Sequence, residues 1–160
     1  MPWVTISGQH VFVQEGEPLV FHPSDKMKRA IESQVRCGKA EQDIAERSEA
    51  VLSRQIGVPR TRDNSAFDLR NDDAGIECKT LLTNKNGKIT MSKKALGRKL
   101  SESQAEGLKT HTVVIDRRAG WASGNPMAHA TYYYKAGLGS FQVSGMKKVS
   151  LTELKEALRP

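Results

Sequence analysis

The sequence predicts a mixed α/β (α+β) domain in which helices enclose a central group of short strands, with a β arm in front. Three observations carry this: two early helical patterns, a cluster of short apolar runs between turn residues, and a capped helix at the end. The arm is assigned to residues 1–22 and the domain to 23–160. In the arm, residues 3–21 alternate apolar and polar side chains around Ser7-Gly8 and Gly16, with WVTI, HVFV and LVF as strands. Ser24 then caps a helix carrying Met27, Ile31 and Val35 four residues apart, which Gly38 is expected to stop; a second helix runs on to about Ile56. Ala66–Arg70 and Gly75–Leu82 read as two strands joined by Asn71-Asp72-Asp73-Ala74, turn chemistry suited to an antiparallel pair. A turn over Asn84–Gly87 leads to Lys88–Met91, and Ser92 opens a helix towards Gly107 whose Leu96 and Leu100 should face inward. TVVID at 112–116 has the pattern of a buried strand, Trp121–Met127 that of a loop, and TYYYKAGLGSFQV that of two strands about Gly137 and Gly139. Ser150 and Glu153 form a capping box before a final helix ending at Leu158.

The chain has 160 residues and a formal charge of +7. Between Cys78 and Ser101 lie Lys79, Lys85, Lys88, Lys93, Lys94, Arg98 and Lys99 without a single acid, so these 24 residues hold the entire excess and the remainder is formally neutral. Such a concentrated charge points to a polyanion, with nucleic acid as the first partner to consider. No apolar run approaches the roughly 18 residues of a membrane span, and MPWVTISGQH lacks the order of a signal peptide. Cys37 and Cys78 are expected to be reduced thiols in a cytoplasmic protein, and the four histidines lack the close spacing of a structural zinc site.

Phe67-Asp68 followed by Ile76-Glu77-Cys78-Lys79 carries the chemistry. On a strand, Glu77 and Lys79 share one face while Ile76 and Cys78 take the other. Pairing through the Asn71–Ala74 turn brings Asp68 level with Glu77, so two carboxylates and one ammonium share a patch. Carboxylates bind a hard cation such as Mg²⁺, with Mn²⁺ able to substitute, and a lysine can orient or help deprotonate an attacking water. Phosphodiester hydrolysis needs that positive charge, because two bare carboxylates would repel the transition state. A second E-x-K, Glu153-Leu154-Lys155, falls in a helix, where residues two apart do not face one another.

This constellation resembles the PD-(D/E)xK, restriction-endonuclease-like nucleases. Asp68 matches the motif's aspartate, Glu77 its second acid and Lys79 its lysine, and Phe67 stands where the motif has proline. The resemblance implies a central mixed sheet flanked by helices, an endodeoxyribonuclease activity on DNA, Mg²⁺ held by Asp68, Glu77 and the Cys78 carbonyl, and in many members an acid from the preceding helix. Of Glu41, Glu46 and Glu49, Glu41 falls nearest the middle of the face defined by Ile44, Ala45, Ser48, Val51, Leu52 and Gln55, with Glu49 at its edge and Glu46 nearly opposite. An inward acid is costly without a cation, so Glu41 is the expected fourth member. A narrower resemblance, carried by WVTISGQHVFV, FDLR, IECKTLL, KITMSKKALGRK, HTVVID and YYYKAGLGSF, is to a nuclease-like domain at the C-terminus of phage head-morphogenesis proteins. It implies phage or prophage origin, phage head components as partners and a virion-associated location.

Lys93, Lys94, Arg98 and Lys99 are the expected phosphate-positioning set, joined by Lys85 and Lys88 from a turn. The three consecutive tyrosines must divide between two faces, and Trp3 and Trp121 are assigned to packing. Two rival readings use the same residues: a non-catalytic DNA-binding module of a phage particle, and an RNA-cleaving toxin domain. A homodimer would suit cleavage of both strands, although no interface is legible.

Overall fold

In the computed structural model the described residues are 3–6, 9–12, 25–61 and 65–160, with side chains described from residue 38 onward. The chain parts into two compact units, residues 1–42 and 43–160, with the division inside a helix. In the first unit, β1 (Trp3–Ile6) pairs antiparallel with β2 (Gln9–Phe12), Trp3 opposite Phe12. This is the expected arm hairpin; its tip, the LVF strand and the Ser24 cap lie outside the described residues.

Helix α1 (Asp25–Ile56) is continuous through Gly38, which does not stop it. An added Cβ there would meet open space, so the glycine costs only its helix propensity, about 1 kcal/mol. A helix of 32 residues absorbs that. In the second unit, Ile44, Ser48 and Leu52 are the buried line of α1, at the i, i+4, i+8 spacing of one helix face.

The main sheet contains β3 (Leu69–Arg70), β4 (Ala74–Leu81), β6 (Lys109–Asp116), β7 (Thr131–Ala136) and β9 (Lys147–Val149), in the order β3-β4-β6-β7-β9. β4 and β6 are parallel and the other pairings antiparallel, so the sheet is mixed. A parallel pair needs a crossover, and α2 (Lys93–Glu106) supplies it. Ser92 caps α2 through a bond accepted from Ala95 N, and Gly107, at φ 67°, closes it in the left-handed conformation that glycine adopts without penalty. A separate pair, β5 (Lys88–Ile89) with β8 (Phe141–Gln142), joins the segment after β4 to the one after β7. The expected two strands around Gly137 and Gly139 therefore exist but belong to different sheets. The segment expected as a loop from Trp121 begins inside a short helix, α3 (Arg118–Ala122). The last helix, α4 (Leu151–Ala157), carries both bonds of its capping box.

Apolar side chains fill both faces of the sheet. One face carries Leu69, Ile76, Val113, Ile115 and Val149, against Leu52 of α1 and Leu154 of α4. On the other, Leu81, Val114, Ile89, Val143 and Met146 cluster. The tyrosines divide as their alternation requires, Tyr132 and Tyr134 with the first cluster and Tyr133 with the second.

Gly75 has a specific task. A Cβ at this position would come within 2.7 Å of the Phe67 ring, which is fully buried over the β4 backbone just before Asp68. Gly75→Ala is expected to destabilise the protein by about 1 to 3 kcal/mol through overpacking, read as a lower urea midpoint. Restoring the midpoint with Phe67→Leu in the same chain would identify the ring as the cause; no recovery would refute it.

Candidate active site

The Asn71–Ala74 turn sets the site's register. The Asn71 carboxamide oxygen accepts the N–H groups of Asp73 and Ala74, both at 2.8 Å, and Asn71 N donates to Ala74 O. The ladder pairs Leu69 with Ile76 and Arg70 with Gly75, and just before it Asp68 N donates to Ile76 O at 3.2 Å, which brings Asp68 alongside the Ile76–Cys78 stretch. Cys78 N donates to Asp68 Oδ2 at 2.8 Å, fixing that carboxylate across the hairpin. The expected juxtaposition of Asp68, Glu77 and Lys79 is thus present in the folded chain.

Glu77 is only 6% exposed and lies between two ammonium groups. Lys79 Nζ is 3.3 Å from Oε1 and Lys99 Nζ is 3.2 Å from Oε2. Oε2 makes no aligned hydrogen bond, so its contact with Lys99 is an ion pair without hydrogen-bond directionality. Lys99 also donates to the Ala66 carbonyl, two residues before Asp68, while Thr61 N donates to Asp68 O at 3.1 Å. The backbone carrying Asp68 is therefore held from both sides.

This placement corrects two expectations about α2. Lys99 and Ser103 are its buried residues, whereas Leu100 is 41% exposed. Lys99 is consequently part of the acidic site and not of the solvent-facing phosphate set. The pattern Leu96, Lys99, Ser103 has the spacing of one helix face, but a hydrophobicity count places a lysine outward. Its ion pair with Glu77 and its bond to the Ala66 carbonyl make the inward position tolerable.

The helix acid coupled to the pair is Glu49. Burial is the main cause that raises its carboxyl above the ordinary range, opposed by Arg60, whose Nε lies 3.3 Å from Oε1, and assisted by the charges of Glu77 and Glu46. Glu41, the expected member, belongs to the N-terminal unit, eight residues earlier in the chain. Glu49 had the weaker claim on face geometry alone, because it flanks the buried line of Ile44, Ser48 and Leu52.

Asp68 is the electrostatic centre of the group. Burial first, and then the charge of Glu77, push its carboxyl up from 3.8 to about 7, with a smaller contribution from Glu49; the Cys78 N–H works the other way. The Asp68 and Glu77 carboxyls are within hydrogen-bonding reach of each other. Burial and the like charge of the neighbouring acid together favour the protonated form at Asp68. The Cys78 thiol sits against the apolar cluster on the opposite face, and burial together with Asp68 holds it well above its ordinary range, so it remains a neutral packing group.

Among the described residues, no group of three or more His, Cys, Asp or Glu side chains is gathered closely enough to hold a metal by itself. Mg²⁺ asks for less: it characteristically keeps several waters and takes one or two carboxylates. The donor set at Asp68 and Glu77 consists of hard oxygens of the kind a hydrated divalent cation takes, with both Glu77 oxygens facing lysine ammonium groups.

Lys93, Lys94 and Arg98 are exposed and, with Gly97, Ser101 and Ala66, line an open cavity of about 490 Å³ beside the segment that leads into Asp68. Its acid, Glu102, is engaged by Ser65 Oγ at 2.7 Å and lies 3.8 Å from Arg70. Lys85 and Lys88 are exposed on the turn and strand after β4. No helix among the described residues is long and apolar enough to cross a membrane. No protein-family model, curated protein or solved structure matches the chain.

Proposed function

We propose that the chain is a metal-dependent nuclease of restriction-endonuclease-like architecture that hydrolyses DNA phosphodiester bonds. The observation that carries this reading is the hairpin that brings the Asp68 carboxylate, held by Cys78 N, against Glu77, with Lys79 paired to Glu77 and the Asp68 carboxyl raised to about 7. Asp68, Glu77 and the Cys78 carbonyl would hold Mg²⁺ or Mn²⁺, with Glu49 as the acid from α1. The cation would supply charge neutralisation at the phosphate and acidify a bound water. Lys79, whose side chain is 40% exposed, reaches solvent from its anchor on Glu77 and is the group available to orient that water. Lys99 fixes Glu77 from behind. Lys93, Lys94 and Arg98 grip the phosphate backbone alongside, a contact that positions a strand without reading its bases.

A second reading rests on a specific feature: both Glu77 oxygens already have lysine partners, as they would in a DNA-binding module that needs no metal. Incubation with supercoiled plasmid separates the two. Nicking in Mg²⁺ or Mn²⁺ that stops in EDTA, and falls at least about 100-fold in Asp68→Ala and Lys79→Ala, is the expected result. Cleavage that survives both substitutions would remove these residues from the site. Absence of cleavage with retained binding that falls steeply with salt would establish the non-catalytic module.

A further inference from the structure

Beyond the end of β4 lies a second cavity, of about 570 Å³, walled by Leu82, Asn84, Lys85, Arg118, Trp121 and Ala122. Trp121 belongs to neither apolar cluster of the main unit, so the indole assigned to packing borders a cavity instead. Its setting is stiff. Gly120 packs so closely on the following loop that a Cβ there would lie 2.7 Å from Asn125 O. Beside it, the Arg118 guanidinium is fixed in plane by a two-pronged contact with Asp116, at 2.9 and 2.7 Å, and by donation to Asn84 O at 3.1 Å. The cavity thus presents one aromatic ring, one immobilised guanidinium, an exposed lysine and no acid among its lining residues.

We propose that this cavity receives an unpaired nucleobase of the DNA strand. A flat aromatic body joined to an anionic phosphate matches an indole and a guanidinium plane with Lys85 at the wall; aromatic and Arg planes are surfaces on which unstacked bases settle. The volume is that of a small-ligand pocket, too small for a folded partner. Position supports the assignment: Leu82 lies three residues beyond Lys79 on the same run of chain, about 10 Å at strand rise. A strand lying across Lys79 would therefore bring a neighbouring nucleotide to the cavity. A base inside a duplex is stacked on both faces and must be extruded at a cost, so the pocket selects single-stranded, flapped or branched DNA over intact duplex. This deepens the proposed function, on which the choice of DNA rests.

Binding in EDTA tests the pocket apart from catalysis. Anisotropy of labelled oligothymidylate and of a blunt duplex of equal length is measured with the full chain, Trp121→Ala, Trp121→Phe and Ala122→Glu. Trp121→Ala should weaken single-strand binding about 10- to 100-fold while changing duplex binding less than about twofold, and Trp121→Phe should retain most of the affinity. Ala122 is exposed, so Ala122→Glu places a repelling charge on the wall without disturbing the core and reads the pocket even should Trp121→Ala unfold. Equal losses for both DNAs, unchanged single-strand affinity in both disruptive variants, or no single-strand binding by the parent chain would overturn the proposal. Absence of plasmid cleavage with selective loss in these variants would overturn the nuclease reading alone.

Discussion

Replacing Lys99 by methionine is expected to lower folding stability in EDTA at neutral pH by about 3 kcal/mol, the lower end of the cost of breaking a buried ion pair. The side chains of Lys99 and Glu77 are 11% and 8% exposed, so the carboxylate loses its buried partner and keeps only the half-exposed Lys79 where water compensates poorly. Methionine preserves the length of the stem, which leaves charge as the main variable. Lys79→Met should cost under about 1 kcal/mol, because that ammonium is 40% exposed and its pair with Glu77 is screened. The decisive measurement is a double-mutant cycle by urea unfolding. Glu77→Gln introduced into Lys99→Met should recover most of the loss, since the uncompensated charge is then gone. Strict additivity of the two substitutions would show that Lys99 acts through packing alone, and would detach it from the acidic site.

That coupling also explains why Lys99 was hard to find from sequence. Periodicity ranks residues by hydrophobicity, and a lysine on an amphipathic helix is placed outward unless its partner is known. Here the partner lies 22 positions earlier, on β4, beyond the reach of any local pattern. The Asp68–Glu77 juxtaposition was legible for the opposite reason: a short turn with Asn71 at its head fixes the register, and alternation then decides which side chains share a face. The Ser150–Glu153 box is likewise local and was readable. Gly38 misled because a propensity cost near 1 kcal/mol is small beside the continuity of a long helix. β9 was invisible because three residues, Lys147–Val149, are too few to show alternation; its place is set by pairing with β7. The preference for Glu41 over Glu49 followed from a face centred on apolar residues, which ranks an acid flanking that face, as Glu49 does, lower.

Asp68→Asn is expected to stabilise the protein in EDTA at pH 7 and above while abolishing cleavage. The sign follows from proton counting. The Asp68 carboxyl ionises near 3.8 when unfolded and near 7 when folded, so between those values the folded chain binds more protons and its stability falls as pH rises. The contribution is full below about pH 4 and lost above about pH 7. Raising a carboxyl from 3.8 to about 7 corresponds to a ceiling of about 4 kcal/mol, and solvent reaching this partly exposed side chain reduces the expectation to roughly 2 kcal/mol. Other carboxylates titrate over the same range, so the quantity to measure is the difference between parent and Asp68→Asn in urea unfolding from pH 4 to pH 8. That difference should widen with pH in EDTA. Mg²⁺ at millimolar concentration should shrink it by stabilising the parent, because a cation at Asp68 replaces the retained proton and binds the folded state alone. A difference that is flat in pH would mean that Asp68 is ionised without help, and the case for a proton retained at this site would fail; a pH-dependent difference insensitive to Mg²⁺ would keep the acid pair but deny it the metal.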